Sequence, residues 1–192
     1  MVRTNPERRQ ALLDGAIEVL ARDGARGLTF RAVDKEAAVP PGTASNYFAN
    51  RDDLLVQVGH RYYERLQPSD AAMSMLTEGP RTAETITALM TDIVDRITNF
   101  RTGYLAQLEL RLEATRRPEL QSLLTERVQA DLTLNIRNHL DSALPGDEDT
   151  VLLLYLSLNW LILERLTLPG IFTEEQAKAL VATAVDRAIG KG

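Results

Sequence analysis

Residues 29–48 read TFRAVDKEAAVPPGTASNYF, and this stretch decides which fold the sequence predicts. Thr29 is a typical helix N-cap, and apolar residues recur behind it at the spacing of one helical face. The prolines and the glycine of residues 39–42 interrupt that helix and predict a tight turn. A second helix of barely two turns follows and ends near Phe48. The stretch therefore predicts two short helices joined by a turn.

Helices are predicted on both sides of this pair. Asn5 and Pro6 are an N-cap and a first helical residue, and an apolar face follows at helical spacing: Leu13, Ala16, Ile17 and Leu20. Asn50 caps a further helix that runs to about residue 66. Later helices are predicted at about 80–97, 104–115, 119–143 and 149–168, and after the cap Thr173. The sequence therefore predicts an all-α fold of about nine helices, with few signs of β-strands.

The composition excludes several classes of protein. The chain has 192 residues, 44% of them hydrophobic and 26% charged, which is typical of a soluble globular protein. It has no cysteine, which excludes disulfides and thiol chemistry, and its two histidines lie too far apart to suggest a zinc motif. The N-terminal segment lacks the apolar stretch of a signal peptide, and the apolar run 151–163 is too short to span a bilayer. These features predict a cytoplasmic protein without metal or cofactor.

The short helix pair is suited to DNA. A second helix presented by two bracing helices can enter the major groove, where small polar side chains reach base edges. The residues placed to do so are Thr43, Ser45 and Asn46, while Tyr47 and Arg51 are suited to phosphates. The net charge of −5 argues against non-specific nucleic-acid binding but not against local contact. From spacing alone, a small helical hairpin with a solvated polar face remains an equal alternative.

Residues 5–60 closely resemble the N-terminal domain of TetR-type transcriptional regulators. The positions that carry the resemblance are Thr29, Arg31, Val33, Pro41-Gly42-Thr43, Tyr47-Phe48, Arg51 and Leu54-Leu55. The resemblance implies that Thr29, Arg31, Tyr47 and Arg51 contact phosphates. It also implies that Thr43, Ser45 and Asn46 face bases.

Four positions depart from the usual pattern of that family. Asp34 and Ala38 stand where alanine and glycine are usual, Pro40 replaces a capping serine, and Ser45 stands where many members have an aromatic residue. If Ala38 adopts the left-handed conformation of the usual glycine, it costs about 1 kcal/mol. Pro40 removes a side-chain acceptor from the start of the second helix.

The resemblance also implies three functional regions. They are a DNA-binding domain over residues 1–50, a connecting helix over 51–66 and a ligand-binding and dimerisation domain over 67–192. The predicted ligand-binding residues are Phe100, Tyr104, Leu108, Arg111, Tyr155 and Trp160. The alternative is that these apolar and aromatic residues belong to the core, because burial alone explains them.

A dimer is predicted from the last two helices. The run 151–163 is apolar on every side, so its helix must be covered almost completely. The final helix adds a face of small and apolar residues: Ala177, Leu180, Val181, Ala184 and Ala188. A two-fold interface covers both helices and matches palindromic DNA, whose half-sites lie about 34–36 Å apart. The alternative is an internal helix of a monomer.

Together these features predict a homodimeric repressor that a small molecule releases from its operator. The ligand would favour a state whose DNA-binding domains are wrongly spaced, with the connecting helix as the moving element. Two alternatives remain, a ligand-independent regulator and a helical protein-binding module of the same fold. An enzyme is disfavoured because the sequence has no glycine-rich phosphate loop and no metal spacing. Glu109 and Glu113 form only a weak candidate metal pair.

Overall fold

A computed structural model describes residues 5–190, and this part of the chain contains α-helices and no β-strand. It has nine α-helices, in chain order α1 Pro6–Gly27, α2 Phe30–Glu36, α3 Arg51–Arg65, α4 Asp70–Glu78, α5 Ala83–Asn99, α6 Arg101–Ala114, α7 Pro118–Asp141, α8 Glu148–Thr167 and α9 Glu174–Ile189. The predicted all-α class is confirmed.

The predicted and observed helices differ at two places. The second helix of the pair is only a 3-10 turn over Ala44–Asn46, whereas nearly two α-helical turns were predicted. Conversely, α4 was not predicted, although Ser69 caps it by accepting the Ala72 N–H at 3.1 Å. The count of nine therefore agrees, but the set of helices is not the same.

Side-chain caps determine where several helices begin, as the sequence predicted. The Asn5, Thr29, Asn50 and Thr173 side chains each accept a backbone N–H in the first turn of the helix that follows. Each cap satisfies a donor that the helix itself leaves unpaired. These four N-terminal boundaries are confirmed.

The chain folds into two compact units. The first joins the chain up to Gln67 with Phe100–Arg127, and the second joins Pro68–Asn99 with the chain from Val128 onward. The first unit therefore contains α6 and the start of α7 in addition to the helix pair. The functional boundaries at residues 50 and 66 remain a prediction, because compactness does not test them.

A single hydrophobic core supports the first unit. It combines the predicted face of α1 with residues of α2, α3, α6 and the start of α7. Leu12, Leu20, Val33, Leu54 and Leu110 are among its fully buried members. The short helix pair is therefore fixed to α1 and α6 by apolar packing, which is the main source of stability in such domains.

The core of the second unit lies between α5, α8 and α9. Ile86, Leu154 and Val185 are buried there, together with Leu144 from the segment between α7 and α8. Thr150 joins the start of α8 to the end of α9, because its buried hydroxyl donates to the Ala188 carbonyl at 3.2 Å.

Residues 5–190 cover only one side of α8. Its buried side contains Leu154, Leu158, Leu161, Ile162 and Leu166. On the other side Leu153, Leu156 and Trp160 are exposed by 47%, 64% and 65%. We call these three residues the apolar face of α8. A contiguous exposed apolar surface of this kind is typical of an interaction site.

The predicted face of α9 is partly covered within the described residues, where Ala177 and Val181 are buried and Leu180 is 40% exposed. One prediction about the last helices needs correction. The run 151–163 was predicted to be too short for a membrane span, but it belongs to the 20-residue helix α8, which is long and apolar enough to cross a membrane by length and composition alone. Core helices of soluble proteins pass the same test, and this finding is weak evidence for a membrane.

A buried histidine lies near the end of α7. His139 hydrogen-bonds the Pro145 backbone, while its Nε2 has no hydrogen-bond partner among the described residues. Burial lowers the pKa of His139 below its ordinary value of 6.5, although the Pro145 bond and the charge of Asp147 oppose this shift. Below about pH 6.5 the imidazole of His139 therefore binds a proton more readily in the unfolded chain than in the folded chain.

We expect the free energy of unfolding to decrease as the pH falls below about 6.5. The contribution of His139 is fully present above that pH and is lost as the pH falls towards the folded pKa, by at most about 1.4 kcal/mol per pH unit. Urea denaturation followed by circular dichroism between about pH 7.5 and 5.5 measures this slope. His139→Gln should flatten it, whereas His60→Gln, at an exposed position of α3, should not. An unchanged slope in His139→Gln would contradict the prediction.

Candidate nucleic-acid interface

The segment from Val39 to Phe48, here called the recognition turn, has one buried and one exposed side. Ala44 and Phe48 are fully buried in the core of the first unit, and Tyr47 packs against the same core. Ser45 and Asn46 are exposed. The apolar residues thus anchor the turn, and its small polar side chains face outward.

Asp34, at the third-last position of α2, holds the start of this turn. Its carboxylate is 2% exposed, and its two oxygens accept the N–H groups of Gly42 and Ala44, each at 2.7 Å. Bonds from backbone N–H to an ionised carboxylate are roughly twice as strong as neutral ones. Asp34 therefore supplies the capping acceptor that Pro40 lacks.

Ala38 keeps the left-handed geometry that glycine usually provides. Its φ is 52°, and the N–H groups of Ala38 and Val39 donate to the carbonyls of Lys35 and Asp34. This pair of bonds is a Schellman motif, which ends α2 at the expected place. The side chain of Ala38 is tolerated at a cost of about 1 kcal/mol.

The three predicted base-facing side chains are bonded to the turn itself. The Thr43 hydroxyl donates to the Pro40 carbonyl at 2.5 Å, while Ser45 Oγ and Asn46 Nδ2 donate to the Gly42 carbonyl at 2.8 and 3.1 Å. These bonds order the side chains before any partner binds. Their acceptor oxygens remain available for donors on a base edge.

Three side chains predicted to contact phosphates lie in the recognition turn itself or at the start of α2. The Tyr47 hydroxyl accepts the Asn5 N–H at 3.3 Å and can still donate its own proton. Arg31 is exposed on α2, and Thr29 caps the same helix. Arg9, which the sequence did not indicate, lies over the Phe48 ring with its guanidinium carbon 5.4 Å from the ring centroid.

Arg51 differs from the other predicted phosphate ligands because its guanidinium is already engaged. Nε donates to the Leu28 carbonyl at 3.3 Å, Nη2 donates to the Ala25 carbonyl, and Nη1 lies 3.8 Å from Glu113 Oε2. Arg117 donates to the same Glu113 oxygen at 2.9 Å, and this bond contributes most to lowering the pKa of the Glu113 carboxyl. Arg51 thus ties the end of α1 and the start of α3 to α6.

A second contact from α6 meets the break in α1. Gly24 has a φ of 68° and a ψ of −178°, so the helical path is interrupted there. Glu109 Oε2 accepts the N–H of the next residue, Ala25, at 2.9 Å. This contact was not predicted, because Glu109 was interpreted as part of a weak candidate metal pair.

The predicted ligand-binding residues fall into both units. Phe100, Tyr104, Leu108 and Arg111 lie on or next to α6, whereas Tyr155 and Trp160 lie on α8. Phe100 stacks on Tyr62 with a centroid distance of 6.2 Å, and the Arg65 guanidinium carbon lies 3.8 Å from the Phe100 ring centroid. Tyr104 is buried, Arg111 is exposed and Trp160 belongs to the apolar face of α8. A ligand role for these residues remains a prediction.

Two parts of the sequence match known families. Residues 81–191, more than half of the chain, match the family described as "Tetracyclin repressor-like, C-terminal domain", and residues 12–58 match "Bacterial regulatory proteins, tetR family". The chain belongs to the TetR family. The predicted type of DNA-binding regulator is thereby confirmed at the level of the family.

Curated TetR-family relatives cover much of the chain. The transcriptional regulator BetI of Rhizobium meliloti is 28% identical over 136 residues, which are 69% of this chain and 66% of BetI. The nicotine-responsive transcriptional repressor HdnoR of Paenarthrobacter nicotinovorans is 26% identical over 146 residues, which are 76% of this chain and 73% of HdnoR. The matches to BetI and to two further curated relatives span 66%, 42% and 39% of those proteins, which is less than two thirds of each.

Solved TetR-family structures match over nearly the whole chain. A family member from Streptomyces coelicolor A3 is 29% identical with a TM-score of 0.68, over 93% of this chain and 98% of that one. The multidrug binding protein EbrR in complex with ethidium is 29% identical with a TM-score of 0.64, over 94% of this chain and 99% of EbrR. The named relatives are transcriptional regulators rather than enzymes.

The two glutamates of the weak candidate metal pair, Glu109 and Glu113, both have partners within the protein. Glu109 binds the Ala25 N–H, and Glu113 binds arginines. Within residues 5–190, no group of three or more His, Asp or Glu side chains is arranged to hold a metal ion. The structure therefore gives the metal interpretation no support.

Proposed function

We propose that the chain is a homodimeric transcriptional repressor that binds palindromic operator DNA and is released by a small-molecule effector. The observation that carries this proposal is the exposed polar side of the recognition turn, whose opposite side is anchored in a hydrophobic core. An ordered polar surface on a short helical element is what reading a major groove requires. Because its DNA is in the cytoplasm, the protein is proposed to act there.

The geometry of the first unit supports a proposed set of DNA contacts. Thr43, Ser45 and Asn46 face base edges, while Thr29, Arg31 and Tyr47 hold phosphates. Arg51 was also predicted to contact a phosphate. Its engaged guanidinium instead favours an indirect role, in which Arg51 positions α3 against the end of α1. Two of its five N–H groups hold the Leu28 and Ala25 carbonyls, so a phosphate contact would use the remaining ones.

The dimer is supported by the apolar face of α8. Leu153, Leu156 and Trp160 follow one another at spacings of three and four residues, so they lie along one side of the helix. A second copy of α8 and α9 would cover them, and isologous two-fold contacts are the commonest arrangement in homodimers. Two linked DNA-binding domains bind a palindrome far more tightly than one.

The effector is proposed to be a small organic molecule with a positive or hydrogen-bond-donating group. Glu164 on α8 has a buried Oε2 without a hydrogen-bond partner among the described residues, and a buried carboxylate oxygen is costly unless a donor covers it. EbrR, which binds ethidium, has the same fold. The effector would act by favouring a state with lower operator affinity, and the same factor would weaken effector binding in the presence of operator.

The decisive experiment selects bound fragments from fragmented genomic DNA at about 0.15 M salt. The unaltered chain should recover a palindrome. The logarithm of its affinity should fall linearly with the logarithm of the salt concentration, with a slope of about 0.9 for each phosphate neutralised. Arg31→Ala removes one cation, so it should shallow the slope by about 0.9 at every sequence. Tyr47→Phe removes an uncharged hydrogen bond to phosphate, so it should weaken binding at every sequence and leave the slope unchanged. Asn46→Ala should instead relax preference at one base position.

The outcomes separate the proposal from its alternatives. If the protein selects a palindrome and no tested small molecule releases it from that DNA, the result favours a ligand-independent regulator. No enrichment by folded protein, at any salt concentration, contradicts DNA binding and favours a helical protein-binding module. Equal effector affinity with and without operator would remove the allosteric part alone.

A further inference from the structure

We propose that Asp34 is a positioning residue for DNA recognition, which sets the shape of the recognition turn in place of the cap that Pro40 removes. The inference rests on the proposed DNA-binding function and extends it to a buried residue that does not reach DNA. Asp34 lies on α2, is 2% exposed, and binds the N–H groups of Gly42 and Ala44 through separate oxygens.

Gly42 connects this carboxylate to the base-facing side chains. Its φ is +88°, a region that L-residues rarely adopt, and a Cβ added there would meet no atom within 4 Å. The side of Gly42 on which a side chain would lie is therefore open. Its N–H is bound by Asp34, and its carbonyl accepts from Ser45 Oγ and Asn46 Nδ2. Releasing the N–H frees the peptide on which both side chains depend.

Ala44 gives the carboxylate a second point of attachment. The Ala44 side chain is fully buried, and its carbonyl accepts the N–H groups of Tyr47 and Phe48 at 2.9 and 3.0 Å. Asp34 Oδ1 binds the N–H of the same residue. The carboxylate thus orients both the outward-facing part of the turn and the part that enters the core.

The direction in which DNA affinity changes when the charge of Asp34 is removed tests the proposal. A carboxylate beside a DNA-binding surface repels phosphate, so its neutralisation alone would strengthen DNA binding. If Asp34 positions the turn, neutralisation has the opposite effect on specific DNA. Glu36→Gln is the matched control, because Glu36 lies on the same helix and binds Arg22 rather than the turn.

The test compares Asp34→Asn and Asp34→Ala with the control, using the duplex that the unaltered chain selects and an unrelated duplex of equal length. We expect both variants to bind the selected duplex about tenfold more weakly per DNA-binding domain, or roughly a hundredfold for a dimer. Binding to the unrelated duplex should be unchanged or tighter. Glu36→Gln should show no loss on either duplex. Circular dichroism establishes that each variant remains helical.

A rescue variant separates a positioning role from general damage. Asp34→Ala combined with Pro40→Ser returns a side-chain oxygen to the start of the turn and should recover at least part of the lost specificity. Unchanged or stronger binding of the selected duplex by Asp34→Asn would overturn the inference.

The failure of the proposed function would be recognised separately. If the unaltered chain selects no DNA, amide hydrogen exchange at Gly42 and Ala44 still decides the role of Asp34 in the turn. Faster exchange in Asp34→Asn would support that role, and equal exchange would overturn it.

Discussion

Leu156→Glu combined with Trp160→Glu is expected to convert the protein to a monomer and to weaken binding of the selected operator roughly a hundredfold or more. The two side chains are the most exposed of the apolar face of α8. Two carboxylates per chain would be buried opposite each other in a two-fold interface, at a cost that apolar contacts do not offset. Sedimentation analysis measures the mass, and fluorescence anisotropy of labelled operator measures the affinity.

The control for this variant is Leu112→Glu. Leu112 is 57% exposed on α6, outside the proposed interface, so its replacement should leave the mass of the dimer unchanged. A double variant that remains dimeric at the concentration of the unaltered protein would show that another surface holds the subunits together. A monomeric form of the unaltered chain at micromolar concentration would refute the dimer directly.

Glu109→Ala is expected to destabilise the first unit by about 2–3 kcal/mol. The reason is that Ala25, only 4% exposed, loses the acceptor for its N–H at the break in α1. A buried donor that is left unpaired costs the desolvation penalty of that group. Urea denaturation at neutral pH, followed by helical circular dichroism, measures the loss.

Glu109→Gln tests whether the bond or the charge matters. Glutamine retains an oxygen at the same distance along the side chain, so this variant should lose less than about 1 kcal/mol. Glu119→Ala, at an exposed position in the first turn of α7, controls for the removal of a glutamate. If Glu109→Ala is as stable as the unaltered chain, the bond to Ala25 does not contribute to stability.

The parts of the fold that the sequence predicted are those with local causes. Asn5 and Thr29 bind N–H groups three residues ahead, so short-range sequence contains the whole interaction. The same holds for the apolar face of α1, whose residues recur at helical spacing. Ser69 also had a local signal, because serine is a common N-cap, but α4 was not predicted from it.

The parts that the sequence did not predict depend on partners that lie further away. Arg51 was assigned to phosphate because its type fits, yet its partners include the Ala25 and Leu28 carbonyls and a glutamate of α6. Asp34 was noted only as a departure from the family pattern. Its importance depends on backbone N–H groups eight and ten residues away, whose direction only the folded turn reveals.

The exposed face of α8 affects the intrinsic fluorescence of the protein, because it contains Trp160, the only tryptophan of the sequence. An indole that is 65% exposed emits at long wavelength, as in water, whereas an indole in a dry interface emits at shorter wavelength. The intrinsic fluorescence of the unmodified protein therefore reports whether this face is covered. Dilution across the dissociation constant of the dimer would shift the emission to the red, without any label and without knowledge of the operator or the effector.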